Sequence, residues 1–208
     1  MEQKVENLIR NLKRRNISGI YVESKDRAKA KIEEIIPLNN SVGISGSKTL
    51  DEIGIVARLQ ERGNKVFNQY KPGLNRQQSL EIRNLGPGAD YFLSSANAIS
   101  EKGELVFFSG HGHRTSGIAN AKNLIVVCGL NKITPNLEKA LSRSREYATP
   151  LNCKRLAWKA ACLADGICRK EICLAPDYKR MCCQILIIET EINPDRLKVI
   201  LVGENLGF

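Results

Sequence analysis

The amino-acid sequence predicts an α/β fold: one domain over residues 1–208, built as a three-layer, mostly parallel sheet with helices on both faces. Three observations point there. Short apolar runs such as "NLIVVCGLN" and "RLKVILVG" alternate with amphipathic stretches of helical period, the order that builds parallel sheets. The chain of 208 residues is long enough for one full core, and 42% hydrophobic with 26% charged is an ordinary globular balance. No apolar run approaches the length that crosses a bilayer, so no membrane insertion is expected.

The elements follow in order. Val5, Leu8, Ile9 and Leu12 recur at helical spacing and make the first segment an amphipathic helix. "GIYVE" is a strand, and Ser24 caps a helix through Ala28, Ile32 and Ile35 that Pro37 ends. These N-terminal elements occupy residues 1–40. "SVGIS" is a strand, and "TLDEIGIVARLQERG" reads as one helix, capped by Thr49 and closed by Gly63. "KVFN" is a strand, "NRQQSLEIRNLG" a helix, and "ADYFLSSANAI" a strand running into a loop. "GELVFFSG" is a strand after the turn "EKG", "NLIVVCGLN" a buried strand, and "TPNLEKALSRSREYA" a helix with Pro135 in its first turn. Residues 153–183 lack a clear period and read as a cysteine-rich insertion before the last strands. "QILIIETEI" and "RLKVILVGENLGF" are two strands joined at "NPD", a hairpin or neighbouring pair.

Formal net charge is +10, which favours anionic partners: nucleic acid, phosphorylated metabolites, CoA or an acidic protein. The basic residues are mixed with acidic ones or spaced along helices, as in "SKDRAKAKIEEII", and aromatics are only 5%. A nucleic-acid surface combines a basic stripe with stacking aromatics, so nucleic acid is not the expected partner. The start "MEQKVENLIRNLKRRN" lacks the apolar core of a signal peptide, and the expected location is cytoplasmic.

Two glycine loops carry the chemistry. In "VGISGSKTLDEIG", Gly43, Ser45, Gly46, Ser47 and Thr49 pass from a strand into a helix. Free N–H groups, hydroxyls and glycine suit an anion, although an ordinary strand-to-helix turn has the same composition. The spacing is not that of a Walker A loop. The second loop, "SGHGHRTSG", holds both histidines of the chain and Arg114. A zinc shared by His111 and His113 wants a third protein ligand, which no further histidine supplies. His113 is a candidate general acid or base and a candidate pH-sensitive group; both histidines also read as plain polar loop residues. Ser94, Ser95 and Asn97, at a strand end, suit either the same ligand or the loop backbone. Glu52 is the candidate carboxylate for acid–base work, and it equally suits a helix N-terminus.

The chain has seven cysteines. Cys128, inside a strand, reads as a small buried hydrophobe. Cys162, Cys168, Cys173 and Cys182 form a run that suffices for a zinc or an iron–sulfur cluster. No CxxC pair is present, so free thiols made reactive by Arg169, Lys170, Lys179 and Arg180 stay open as the other reading. Cys153 lies outside the run, and Cys183, opening a strand, is expected to be buried.

Taken together, "VGISGSKTLDEIG", "YKPGL", "ADYFLSSANAISEKGELVFFSGHGHR", "NLIVVCGLNKI", "PLNCKRL" and "VILVGENLGF" span most of the chain after residue 40. They resemble the LUD domain family, lactate-utilisation proteins formerly grouped as a domain of unknown function. The resemblance implies a fold similar to ribose-phosphate isomerases, glucosamine-phosphate deaminases and CoA transferases. In those enzymes the first glycine-and-serine loop holds phosphate or a related anion; carried over, this implicates Gly43, Ser45, Gly46, Ser47 and Thr49. The family's second loop reads Asp-Gly-x-Gly-Asn-Arg. Here Ser109 and His113 replace its acidic residue and its asparagine, while Gly110, Gly112 and Arg114 match. A role that needs the carboxylate is lost, and binding through backbone and the Arg114 fork survives. Several members also carry a four-cysteine run, with shorter gaps. The resemblance implies a small anionic metabolite or cofactor as ligand, a part in lactate utilisation, and oxidoreductase partner subunits with iron–sulfur proteins. A stand-alone enzyme acting on a sugar phosphate or CoA ester is the alternative, and a basic nucleic-acid-binding module the second.

Overall fold

The computed structural model describes residues 2–208. Helix α1 (Glu2–Arg14) gathers Val5, Leu8 and Leu12 on one buried face, as a 3.6-residue period requires. Strand β1 (Ser18–Val22) and helix α2 (Lys25–Ile35) follow, with Ser24 Oγ accepting from Arg27 N at 3.3 Å to start the helix.

After β2 (Val42–Ile44), the single helix expected over residues 49–63 is two: α3 (Lys48–Ile53) and α4 (Ile55–Glu61). Gly54 stands between them with φ 71°, a left-handed conformation that stops one helix and re-aims the next. The cap of α3 is Ser47 rather than Thr49: Ser47 Oγ accepts from Leu50 N at 3.3 Å. Strand β3 (Val66–Phe67) leads to α5 (Arg76–Leu85), which opens with a reciprocal capping box between Asn75 and Gln78.

Next come β4 (Tyr91–Ser94), β5 (Ala98–Ser100), β6 (Leu105–Ser109), α6 (His113–Asn120), β7 (Asn123–Gly129) and β8 (Ile133–Thr134). Asn136 caps α7 (Leu137–Arg143), so Pro135 lies before its first turn and not within it. Helix α8 (Thr149–Arg155) carries Cys153 on its buried side. Residues 156–183 contain neither helix nor strand. Strands β9 (Gln184–Ile188) and β10 (Leu197–Val202) complete the chain order.

The large sheet is parallel throughout, in the order β1-β10-β7-β4-β2-β3. A smaller sheet runs β8-β5-β6-β9, with β6 antiparallel to both neighbours. The expected pairing of the last two strands is therefore corrected. β9 joins the small sheet at its edge and β10 enters the large sheet between β1 and β7. Their burial explains the separation: β10 is almost wholly buried and fits between parallel neighbours, whereas β9 exposes much of its length.

One face of the large sheet meets α2, α3 and α4 through Ile32, Leu50, Ile53 and Ile200. The other meets α1, α6 and the small sheet through Leu8, Leu12, Phe107 and Ile118. Each such side chain contributes about 1.5–3 kcal/mol by leaving water. Cys128 is fully buried as expected, while Cys183 is exposed, its Sγ donating to Arg180 O at 3.0 Å.

Candidate functional site

In a parallel sheet, ligands gather beyond the carboxyl ends of the strands. Here β2, β4 and β7 end on one side, and β6 delivers its own carboxyl end to the same place. They open a cleft of about 790 Å³, lined by the first loop (Ser45, Gly46, Ser47), by Asn97, and by the second loop with Arg114.

The two loops are tied together. Arg114 donates to Asn97 Oδ1 at 3.1 Å and also to the Gly46 carbonyl. Asn97 Oδ1 in turn accepts from Phe108 N at 2.9 Å. Gly112 turns the second loop with φ 85°, and its N–H donates to Ser109 Oγ at 3.1 Å. On the first loop Ser45 Oγ and Ser94 Oγ lie 2.8 Å apart, and Gly46 N donates to the Tyr70 hydroxyl at 3.1 Å. A Cβ on Gly46 would stand 2.6 Å from that hydroxyl oxygen, so a side chain there would push the Tyr70 ring away from the loop.

His113 is the sharpest feature of the cleft. Its Nε2 lies 2.9 Å from Gln69 Nε2. The same Gln69 nitrogen reaches the Ile44 carbonyl at 3.3 Å, which identifies it as the amide donor. His113 Nε2 therefore accepts, and in the neutral ring Nδ1 carries the proton. That Nδ1 is buried with no hydrogen-bond partner among the described residues. Burial first, then the charges of Arg114 and Arg83, pushes His113 down to about 4, so it stays neutral around pH 7 rather than titrating there. His111 points elsewhere, edge-on to Trp158 with ring centroids 5.5 Å apart. The two imidazoles share no partner, and among the described residues no group of three or more His, Cys, Asp or Glu side chains is placed to hold a single metal ion.

Beside the cleft is a smaller recess built around a residue that the sequence pattern did not single out. Lys132, just after β7, is buried and donates to Thr49 Oγ1 at 2.8 Å and Ser95 Oγ at 2.7 Å. Arg114 and Asn97 line this recess as well as the cleft. Burial pushes Lys132 down to about 8. A lysine in "GLNKI" reads as a solvated loop residue; only its position after a central strand hinted otherwise.

The family model of the LUD domain matches residues 5–202. The chain belongs to the LUD domain family. A crystal structure of a DUF162 family protein from Deinococcus radiodurans aligns with this LUD domain over 97% of its length and 98% of the other chain, at 11% identity and a TM-score of 0.55. That likeness is one of fold. Shorter matches are to eIF2B beta from Chaetomium thermophilum (18% identity, 56% of this chain and 44% of that one, TM-score 0.39) and to ribose 5 phosphate isomerase A from Neisseria gonorrhoeae (17%, 54% and 54%, 0.36). A search of curated proteins finds no match.

The LUD domain thus brings together Ser45, Gly46, Ser47, Asn97, Gly110, His113 and Arg114 around the cleft, with Thr49 and Ser95 in the adjoining recess. Gly112 faces the outer side of the second loop, toward Gln184. Gly43 stands apart: a Cβ there would lie 2.1 Å from the Gly86 carbonyl oxygen, so its glycine serves sheet packing and not the ligand side. Glu52 also stands apart from the cleft lining. Its Oε2 accepts from Gly207 N at 2.7 Å and its Oε1 pairs with Lys48 at 3.7 Å, holding residues 206–207 across the recess. Cys162, Cys168, Cys173 and Cys182 do converge, around a cavity that Cys153 also lines. Burial raises the thiols of Cys162 and Cys168, and that of Cys153 most of all, above the ordinary value of 9.0. The basic neighbours do not make these three reactive thiolates.

Proposed function

We propose that this LUD domain protein binds a small anionic metabolite or cofactor between its two glycine loops and takes part in lactate utilisation beside iron–sulfur oxidoreductase subunits. The single observation that carries the ligand class is His113 Nδ1: a buried N–H with no acceptor among the described residues, in a cleft that Arg83, Arg114 and Arg155 also line. A buried donor left unmatched costs about 1–3 kcal/mol, and a carboxylate or phosphate oxygen relieves that cost. The arginines supply the opposite charge, and a guanidinium fork takes a carboxylate through two parallel bonds. A 2-hydroxy acid offers a carboxylate for an arginine and further oxygens for Nδ1.

Calorimetric titration with L-lactate, pyruvate, inorganic phosphate and CoA, against the uncharged lactamide, tests the reading. At least one anion is expected to bind while lactamide does not. His113→Phe keeps the ring volume and removes the donor, and is expected to weaken binding roughly 10- to 100-fold. Equal binding of lactamide, or no anion bound at millimolar concentration, would overturn the anionic site. Recovery of the protein from its native cells without any oxidoreductase subunit would remove the assembly.

A further inference from the structure

Among the described residues Lys132 is the only buried lysine, with 4% of its surface exposed. It ends the short turn after β7, at the carboxyl edge of the large sheet. Residues 206–207 close over it. Leu206 N donates to Asn131 Oδ1 at 3.1 Å. Gly207, with φ 61°, passes so near that a Cβ there would lie 3.3 Å from Lys132 Nζ and 2.5 Å from Thr49 Oγ1. The amine is shut away from bulk water on that side.

The charges around the amine are one-sided. Its cationic neighbours are Arg143 and Arg114. Arg143 donates to the carbonyls of Asn131 at 3.1 Å and Asn97 at 2.7 Å, and Arg114 to Asn97 Oδ1 and the Gly46 carbonyl. Among the described residues no carboxylate forms an ion pair with any of the three. Glu52, close enough to be felt, commits its oxygens to Gly207 N and Lys48. A buried ammonium ordinarily takes a carboxylate partner, because an unpaired buried charge is costly. Here two hydroxyls hold Nζ instead. Desolvation beside other cations favours the neutral amine, the form of lysine that acts as a nucleophile. With the value brought down to about 8, chiefly by burial, on the order of a tenth of the amine is neutral at pH 7.

The recess limits what reaches the amine. It holds about 40 Å³, space for roughly three water-sized groups. Gly46, Ser47, Asn97, Arg114 and Asn152 line it and the large cleft alike, so the two share a rim. The carbonyl end of a short chain fits the recess, while the rest of the molecule lies in the cleft. Lys132 and Arg114 bound the same small volume. A carbonyl at the amine and a carboxylate at the guanidinium therefore belong to neighbouring carbons of one small molecule.

We propose that Lys132 is a covalent binding residue for a small 2-oxo acid: with the acid's carboxylate on Arg114, Nζ forms an imine with its carbonyl carbon. The step is a condensation without redox change. The neutral amine adds to C2 as the carbonyl electron pair moves onto oxygen, and a proton passing from nitrogen to oxygen gives a carbinolamine. That oxygen leaves as water with a second proton from nitrogen, and the nitrogen lone pair closes the C=N bond. Ser95 and Thr49 hydroxyls both touch Nζ and lie 3.2 Å from each other, placed to relay these protons. Water reverses the step. A 2-hydroxy acid has no carbonyl and stays non-covalent. The place of the carboxylate on Arg114 rests on the proposed function; the amine chemistry does not.

The test incubates the full chain with millimolar pyruvate and sodium cyanoborohydride, which reduces an imine to a stable secondary amine, and maps adducts by peptide mass spectrometry. A 1-carboxyethyl group on Lys132 is expected, and none with L-lactate. Lys48 is an internal control: it lines the same recess but is half-exposed and paired with Glu52. Ser95→Ala leaves the amine in place and removes one relay hydroxyl, and trapping at Lys132 is expected to slow roughly tenfold. Lys132→Arg keeps the charge and is expected to lose the adduct. No adduct at Lys132, an adduct mainly on Lys48, or equal labelling of exposed lysines would overturn the inference, even where calorimetry shows pyruvate bound and the anionic site intact. Uncharged methyl pyruvate separates the two readings. It is expected to label Lys132 roughly tenfold less than pyruvate, the worth of a charge-assisted bond to the carboxylate. Equal labelling of Lys132 by both would overturn the anionic site and leave the amine chemistry standing.

Discussion

A lysine amine enclosed by two hydroxyls behaves unlike one on a helix face. Lys132 donates to Thr49 and Ser95, and burial brings it down to about 8 from 10.5. Thr49→Val keeps the shape and removes one acceptor. The expected cost is about 1–3 kcal/mol in urea unfolding, with a further fall in the Lys132 pKa, readable by NMR of the labelled side chain. His113 obeys the same physics nearer to physiological pH. Its folded value is about 4 against an ordinary 6.5, so the unfolded chain takes up its proton first as the solution is acidified. Stability contributed by the neutral ring is complete above pH 6.5 and is lost as pH falls from 6.5 toward 4. His113→Gln is expected to flatten that part of the urea midpoint against pH curve; an unchanged slope would remove the buried neutral imidazole. Sequence patterning exposed His113 and Arg114 because glycines flank them. It missed Lys132 because the two hydroxyls that enclose it are 83 and 37 residues away along the chain.

Helices and strands were legible wherever one face is apolar, as in α1, α2 and β7, since period alone reports burial. Two failures have a common cause. The run over residues 49–63 keeps helical spacing through Gly54, and that spacing hides the one local mark of the break, a glycine that adopts a left-handed φ of 71°. Likewise the last two strands sit close together in sequence, which suggests a hairpin, while each is claimed by a different sheet. Gly54→Ala isolates the first effect. No atom lies within 4 Å of the added methyl, so only the backbone penalty remains, about 1–2 kcal/mol. Gly54→Asn is expected to lose less, because asparagine tolerates that region. Thermal unfolding of the two variants checks the order; equal losses would mean that packing rather than backbone conformation decides at this turn.

The large sheet is closed by a strand from the far end of the chain order. β10 hydrogen-bonds β1 on one side and β7 on the other, and its Val199, Ile200 and Leu201 are fully buried between both cores. Without it, β1 has no neighbour in the sheet and α1 loses part of the surface it packs on. A chain ending at residue 196 is therefore expected to show no cooperative melting by circular dichroism, whereas deletion within 156–183 is expected to leave a cooperative α/β body. Cooperative melting of the shorter chain would mean that β4, β7, β2 and β3 stand alone as a folding unit. The same arrangement has a consequence on the ribosome. Residues 23–196 separate β1 from its partner strand, and at about 5–20 residues per second their synthesis takes on the order of ten to forty seconds. Throughout that interval Leu8, Leu12 and Ile17 have no finished sheet to cover them, so the nascent segment of α1 and β1 carries its apolar face uncovered until β10 has left the ribosome.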